Sequence, residues 1–253
     1  MMLIKGKIAI VTGAAQGIGK SIAGMYSQNG ATVFLCDLQE DKVKAAASEI
    51  EKDTGFKSFG IKLDVSRKSD VEAAVKQVID KCGRIDILVN NAAILKEELL
   101  LLMEEKDWDK VFEVNVKGTF LMTQAVGKIM KQQKYGKIIN MSSCSGKKPT
   151  WKEAAYCSTK SAIIGLTRVT ALELGLDGIT CNAICPGATD TEMVRSNFLT
   201  SPEVEQEWIE KTALKKLGKP EDQAKVALFL ASELADHITG EALIVSAGEI
   251  MGQ

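Results

Sequence analysis

The strongest constraint on this chain's fold is a junction near its beginning. Residues 7–12, Lys-Ile-Ala-Ile-Val-Thr, are a short β-branched apolar run of the kind buried on both faces of a parallel sheet. The run passes directly into Gly13-Ala14-Ala15-Gln16-Gly17-Ile18-Gly19, and residues 20–29 then carry a helical pattern ended by Gly30. Strand, glycine-rich turn and helix in that order let backbone amides and a helix N-terminus approach a pyrophosphate. The spacing is G-x-x-x-G-x-G rather than G-x-G-x-x-G. A second strand over 32–36 ends in Asp37, twenty positions after Gly17. A carboxylate there accepts hydrogen bonds from an adenosine ribose and repels a 2'-phosphate. Neither Gln16 nor Leu38 supplies the cation that such a phosphate would need, so NAD is expected in preference to NADP. Capping of the helix that starts near Glu40 is an alternative role for Asp37, compatible with the first.

The alternation continues down the chain. A helix is expected over 41–52, a strand over 58–63, a helix over 68–81 and a strand over 85–89. A long, largely helical stretch covers 104–133, strands cover 135–141 and 179–184, and a helix between them bears Tyr156 and Lys160. Two short helices within 192–216, a helix over 220–232 and a last strand over 242–246 complete the pattern. This order predicts an α/β fold: a single Rossmann-type domain over residues 1–253, with a doubly wound parallel sheet of about seven strands and helices on both faces. In such sheets ligands bind beyond the carboxyl ends of the strands. The polar residues placed there are Asp64-Val65, Asn90-Asn91-Ala92-Ala93, Ser142-Ser143, and Pro186-Gly187 with Thr189 and Thr191 after them. Residues 190–216 are expected to close over the site as a lid. Asn115, in mid-helix between Val114 and Val116, is unfavourable by propensity and marks a bend, a solvent-linked site or the cap of a second helix.

Tyr156 and Lys160, four apart, share a helix face, so the ammonium can sit beside the phenol. A free phenol titrates near pH 10, and proton transfer near neutrality needs a shift of about three units, roughly 4 kcal/mol in favour of the phenolate. Lys160 is a candidate source. Ser143, thirteen positions before the tyrosine and at a strand end, can face the same cavity. Alone, the pair also fits the surface of an amphipathic helix.

Charge and composition exclude other classes. A formal charge of -1 gives no concentrated basic surface for nucleic acid or an anionic membrane. The early apolar run, 8–11, is too short for a signal or a span, and a cytoplasmic protein is expected. Six cysteines include no C-x-x-C pair, and most of them read as small core residues. The single histidine, His237, rules out a His-rich zinc site and a Ser-His-Asp triad, and no metal is expected.

These motifs in this order make the chain resemble the short-chain dehydrogenase/reductase family over nearly its whole length. The matching residues are Thr12-Gly13-x-x-x-Gly17-x-Gly19, Asp64-Val65, Asn90-Asn91-Ala92, Asn115, Ser143, Tyr156-x-x-x-Lys160, and Pro186-Gly187 with Thr191. Ala93 departs from a usual glycine, and Ser246-Ala247-Gly248 from a usual double glycine. The resemblance implies hydride transfer between nicotinamide C4 and an alcohol or ketone carbon. It implies Tyr156 as general acid-base, and Lys160 as the group that holds the nicotinamide ribose and, with the positive charge of the oxidised ring, lowers the phenol's pKa. Ser143 would donate to the substrate oxygen, and Asn115 would hold a water that links Lys160 to solvent. Asp64 and Val65 would flank the adenine, Asn91 and Ala92 would line the ribose and nicotinamide, and Thr189 and Thr191 would meet the carboxamide or diphosphate. Gly13, Gln16, Gly17, Ile18, Gly19, Asp37, Leu38, Pro186 and Gly187 complete the expected cofactor set. Substrate contacts are expected from Ser143, Ser145, Trp151, Tyr156 and Met193.

A secondary alcohol or ketone of polyol, small-diol or hydroxysteroid type is the expected substrate. A 3-oxoacyl-carrier-protein reductase is the alternative, opposed by Asp37 because such reductases generally prefer NADPH. A dinucleotide-sensing regulatory subunit is a third reading, opposed by the presence of Asn115, Ser143, Tyr156 and Lys160 together. Trp151, Met193 and Phe198 either face a bulky apolar substrate or pack the lid. Lys147, Lys148 and Lys152 either attract an anion or form a solvated loop face. A homotetramer or homodimer, paired through the helices around Asn115 and Tyr156, is implied by the resemblance.

Overall fold

Alternation along the first strand divides the interior into two cores. In a computed structural model, which describes residues 2–199 and 201–252, β1 (Ile8–Thr12) sends Ala9 and Val11 to one face and Ile8 and Ile10 to the other. The remaining strands are β2 (Thr32–Asp37), β3 (Ser58–Lys62), β4 (Ile87–Asn90), β5 (Gly136–Met141), β6 (Ile179–Pro186) and β7 (Ala242–Val245). All pairings are parallel, in the order β3-β2-β1-β4-β5-β6-β7. The helices are α1 (Gly17–Gln28), α2 (Glu40–Thr54), α3 (Lys68–Cys82), α4 (Glu105–Phe112), α5 (Gly118–Gln133), α6 (Ala154–Leu174), α7 (Glu192–Asn197), α8 (Pro202–Glu210) and α9 (Pro220–Ala231). Ile22 and Tyr26 of α1, Val43 and Ile50 of α2 and Ala227 of α9 pack on the Ala9 face. Val71 and Val78 of α3, with Met122 and Met130 of α5, pack on the Ile10 face. Strands covered on both sides explain their nearly unbroken apolar sequences.

The expected elements are present, with three instructive differences. α1 begins at Gly17 rather than residue 20, so the end of the glycine turn is itself the first helical turn. β4 begins at Ile87 rather than residue 85, because Ile85 gives its N–H and C=O to the side chain of Gln133 at 3.0 and 2.7 Å. The long helix over 104–133 is broken by a π turn at Glu113–Lys117, centred on Asn115. There the Asn115 Oδ1 accepts from Ile94 N–H (2.9 Å), and its Nδ2 donates to Ile94 O (2.9 Å) and Thr159 Oγ1 (3.1 Å). A π turn widens the helix enough to turn this buried amide toward the β4–α4 segment. The irregularity expected at Asn115 is this π turn, and Asn115 does not cap a second helix with its side chain.

Cys36, Cys144, Cys181 and Cys185 are buried core residues, whereas Cys82 and Cys157 are half-buried. All six are free, and burial pushes the thiols of Cys36, Cys144 and Cys181 up to about 12. His237 is exposed. Among the described residues no helix is long and apolar enough to cross a membrane, and no group of three or more His, Cys, Asp or Glu side chains could hold a metal ion.

A side-chain clamp ties β1 to β4. Thr12, 1% exposed, accepts through Oγ1 from the N–H groups of Asn91 (3.0 Å) and Ala92 (3.1 Å). The Asn91 Nδ2 donates in return to Thr12 O (3.0 Å) and Gly13 O (2.9 Å). Thr12→Val keeps the shape but strips both amides of their acceptor. Urea unfolding is expected to show a loss of about 1–3 kcal/mol; an unchanged midpoint and slope would show that the clamp is not needed.

Candidate active site and dinucleotide cleft

The strand order reverses between β1 and β4, and at such a switch point the loops part and leave a crevice. Here a cavity of about 830 Å³ runs along the carboxyl ends of the strands. Every expected catalytic, cofactor and substrate residue lines it except Gly19 and Asn115. Gly19 lies beneath the turn, where an added Cβ would stand 2.2 Å from Gly13 O and 2.6 Å from Asn91 Nδ2. Asn115 lies behind the wall with its amide satisfied by Ile94 and Thr159, and so acts on the cavity only through those neighbours.

One end of the cavity fits a dinucleotide. Gly13 and Gly17 take φ of +62° and +58°, which only glycine adopts freely. Gln16, at the N-cap of α1, makes no side-chain capping bond, so the first-turn amides keep their capacity for an anion. Thr191 leans over this turn, its Cγ2 3.6 Å from the position a Gly17 Cβ would take, and its Oγ1 caps α7 by accepting from Val194 N–H at 3.3 Å. At the end of β2 the Asp37 carboxylate accepts from Ala15 N–H (3.1 Å) and Gln39 N–H (3.0 Å). It is thereby fixed at the cavity edge, with lone pairs remaining for hydroxyl donors. Asp37 lines the cleft, and it does not cap α2, whose N-cap position is held by Gln39. Burial pushes the Asp64 carboxyl up, but hydrogen bonds from Ser66 and the charges of Lys110 and Arg67 outweigh it and hold Asp64 below its ordinary range. Asn91 lines the cavity, yet its side-chain amide is committed to Thr12 and Gly13. It shapes the turn rather than offering a free donor.

The other end gathers the proton-transfer candidates. Ser143 stands after β5 in extended backbone, its Oγ accepting from Ser145 N–H at 3.1 Å. Tyr156 and Lys160 follow on α6, with the Lys160 Nζ 5.3 Å from the Tyr156 ring centroid. That ammonium donates to Met141 O at 2.8 Å, and burial lowers its pKa to about 8. In the chain by itself, without the charge of an oxidised nicotinamide ring, the phenol is raised: burial is the main cause, the Glu153 carboxylate adds to it, and a hydrogen bond with Ser143 opposes both.

Two carboxylates in this wall escaped the sequence reading. Glu153, three residues before Tyr156 and 3% exposed, was legible from helical spacing. Glu249 was not, since it reaches the cavity only because the segment after β7 folds back, bringing its Oε2 to 3.0 Å from Ala188 N. Within the expected lid, Met193, Phe198, Trp208 and Lys211 line the cavity, while Thr200 lies outside the described residues. Phe198 packs edge-on to Trp208 with centroids 6.0 Å apart, whereas Trp151 is 76% exposed. Of the three loop lysines, Lys148 lines the cavity.

Comparison with known proteins agrees with this geometry. Residues 13–249 match a family model described as enoyl-(acyl carrier protein) reductase. The 3-oxoacyl-(acyl-carrier-protein) reductase FabG of Aquifex aeolicus is 37% identical over 245 residues, covering 97% of this chain and 98% of that protein. The hydroxy(phenyl)methylsuccinyl-CoA dehydrogenase subunit BbsD of Thauera aromatica is 39% identical over 252 residues, covering 98% of each. The crystal structure of levodione reductase superposes with a TM-score of 0.94 at 29% identity, covering 97% of this chain and 98% of that one. The chain belongs to the short-chain dehydrogenase/reductase family, oxidoreductases that bind a nicotinamide dinucleotide. Gly19→Ala is expected to weaken NADH binding at least about tenfold, since the new methyl must displace Gly13 or Asn91; fluorescence titration of NADH at wild-type affinity would show that the turn does not need this glycine.

Proposed function

We propose that the chain reduces a carbonyl, or oxidises the corresponding hydroxyl, on an acyl thioester, with NAD(H) as the hydride carrier. The observation that carries the reaction is the convergence of Ser143, Tyr156 and Lys160 on the cavity whose other end presents the glycine turn and Asp37. The substrate class rests on the relatives, because the names of FabG and BbsD share a thioester-borne carbonyl or hydroxyl group. The acyl-thioester alternative is therefore preferred to the polyol, diol and hydroxysteroid substrates. Lys148 and Lys211, both exposed on the cavity wall, suit the phosphate of a carrier arm. NAD(H) is supported by Asp37, whose charge opposes a 2'-phosphate.

The nicotinamide, when bound, supplies or accepts the hydride. Ser143 donates a hydrogen bond to the substrate oxygen as negative charge grows there. In reduction the phenol proton of Tyr156 moves to that oxygen; in oxidation the same oxygen returns it. Lys160 would hold the ribose of the bound cofactor, and Asn115 keeps the Ile94 segment and Thr159 in register behind the wall. The lid over 190–216 closes the substrate end of one catalytic unit. Exposed Phe120 of α5 and Val169 and Leu172 of α6 suit a homo-oligomeric face on these two helices.

Tyr156→Phe is expected to lower kcat by about 10²–10⁴ in steady-state assays of 3-oxoacyl thioester reduction, with NADH affinity kept. Retention of most of the rate would sink the assignment. Asp37→Ala is expected to shift the NAD/NADP preference in kcat/KM by about tenfold toward NADP; an unmoved ratio would remove the argument for NAD. Enoyl thioesters belong in the same assay, and turnover of those alone would favour double-bond over carbonyl reduction.

A further inference from the structure

Glu153 occupies the N-cap position of α6, yet its side chain makes no capping bond. A carboxylate at a helix start ordinarily accepts from the first-turn amides. This one lines the cavity instead and is almost wholly closed off from solvent. The chain at Glu98 runs parallel beside it, with Glu98 N–H donating to Lys152 O at 2.8 Å, and so walls off the outer side.

The groups around it are mostly acidic or neutral. On α6 these are Tyr156 and the Cys157 thiol, whose Sγ lies 3.9 Å from Glu153 Oε2. The segment before α4 brings Glu97 and Glu98, the loop after β5 brings the Ser145 hydroxyl and Lys148, and the segment after β7 brings Glu249. Lys152, the next residue back, is exposed. Burial, then the carboxylates of Glu97 and Glu249, push the Glu153 carboxyl above the ordinary carboxylate range, against hydrogen bonds from Ser145 and Cys157. Glu153 in turn is the largest cause after burial of the rise at Tyr156.

We infer that Glu153 is a positioning residue for the proton couple: held in the cavity wall one turn ahead of Tyr156, its carboxylate opposes negative charge on the phenol oxygen. It thereby keeps Tyr156 in its proton-donating form, the form that carbonyl reduction uses. The inference rests on the reading of Tyr156 as the proton-transfer group. Oxidation needs the phenolate, so an ionised Glu153 moves the rise of the oxidation rate to higher pH. When Glu153 is protonated or replaced by a neutral residue, that opposition is gone.

The chain has three tyrosines, so ring-carbon NMR of the protein labelled with 13C at tyrosine Cζ follows Tyr156 directly, assigned by the signal lost in Tyr156→Phe. In the NAD-bound protein, Glu153→Gln is expected to lower the Tyr156 titration midpoint by about one pH unit. Glu153→Asp, which keeps the charge, should stay near the wild-type midpoint. The pH profile of kcat/KM for hydroxyacyl thioester oxidation should move down with the Glu153→Gln resonance. Should Glu153→Gln fail to bind NADH, Glu153→Ala supplies the same neutralisation. A Tyr156 midpoint unmoved in the neutral variant overturns the inference, as does a moved rate profile with a fixed Tyr156 resonance. A moved resonance in a protein that turns over no thioester leaves Glu153's effect standing and overturns the proposed substrate.

Discussion

The structure depends on a parting of the chain at its first strand. β1 pairs with β2 on one side and β4 on the other, so the connections that leave their carboxyl ends go to opposite faces of the sheet. Without a tie, the two loop ends at this parting would carry unpaired amides over an open crevice. Thr12 and Asn91 supply the tie with four hydrogen bonds, and those same bonds set the glycine turn that lines the cavity. One buried threonine thus joins the stability of the sheet to the shape of its ligand site.

The electrostatics of the cavity divide along its length. At the glycine-turn end Asp37 and Asp64 are held by backbone and hydroxyl donors, which leaves acceptor lone pairs for ligand hydroxyls or amines. At the reacting end burial dominates, raising Tyr156 and lowering Lys160, so each group is biased toward its neutral form. A neutral phenol beside a hydroxyl donor is prepared to give a proton to a carbonyl oxygen. Glu153, in the inference drawn above, strengthens that bias.

The fold was legible because its strands are buried on both sides and its helices are amphipathic, two patterns that local sequence carries plainly. Most of the site was legible too, since strand ends and the Tyr156–Lys160 spacing locate residues along a known edge. What escaped depended on contacts between distant segments. Nothing near Asn91 announces that its amide is committed to Thr12, nor does residue 249 signal a return to Ala188. The direction of the Lys160 ammonium, toward Met141 rather than the phenol, is set by β5 packing under α6, and spacing on one helix cannot reveal it. Asn115 was recognised as out of place in a helix, but the π turn that accommodates it is shaped by Ile94, twenty-one residues earlier.

The central claim is that hydride from a nicotinamide and a proton from Tyr156 meet at one carbonyl of an acyl thioester. The most direct measurement is a single-turnover reaction of NADH, deuterated on each face at C4 in turn, with a 3-oxoacyl thioester, followed by mass spectrometry of the product. The account predicts one deuterium on the new carbinol carbon from one face of the cofactor and none from the other. Product lacking deuterium from both faces, or deuterium on the carbon between carbonyl and thioester, would contradict it.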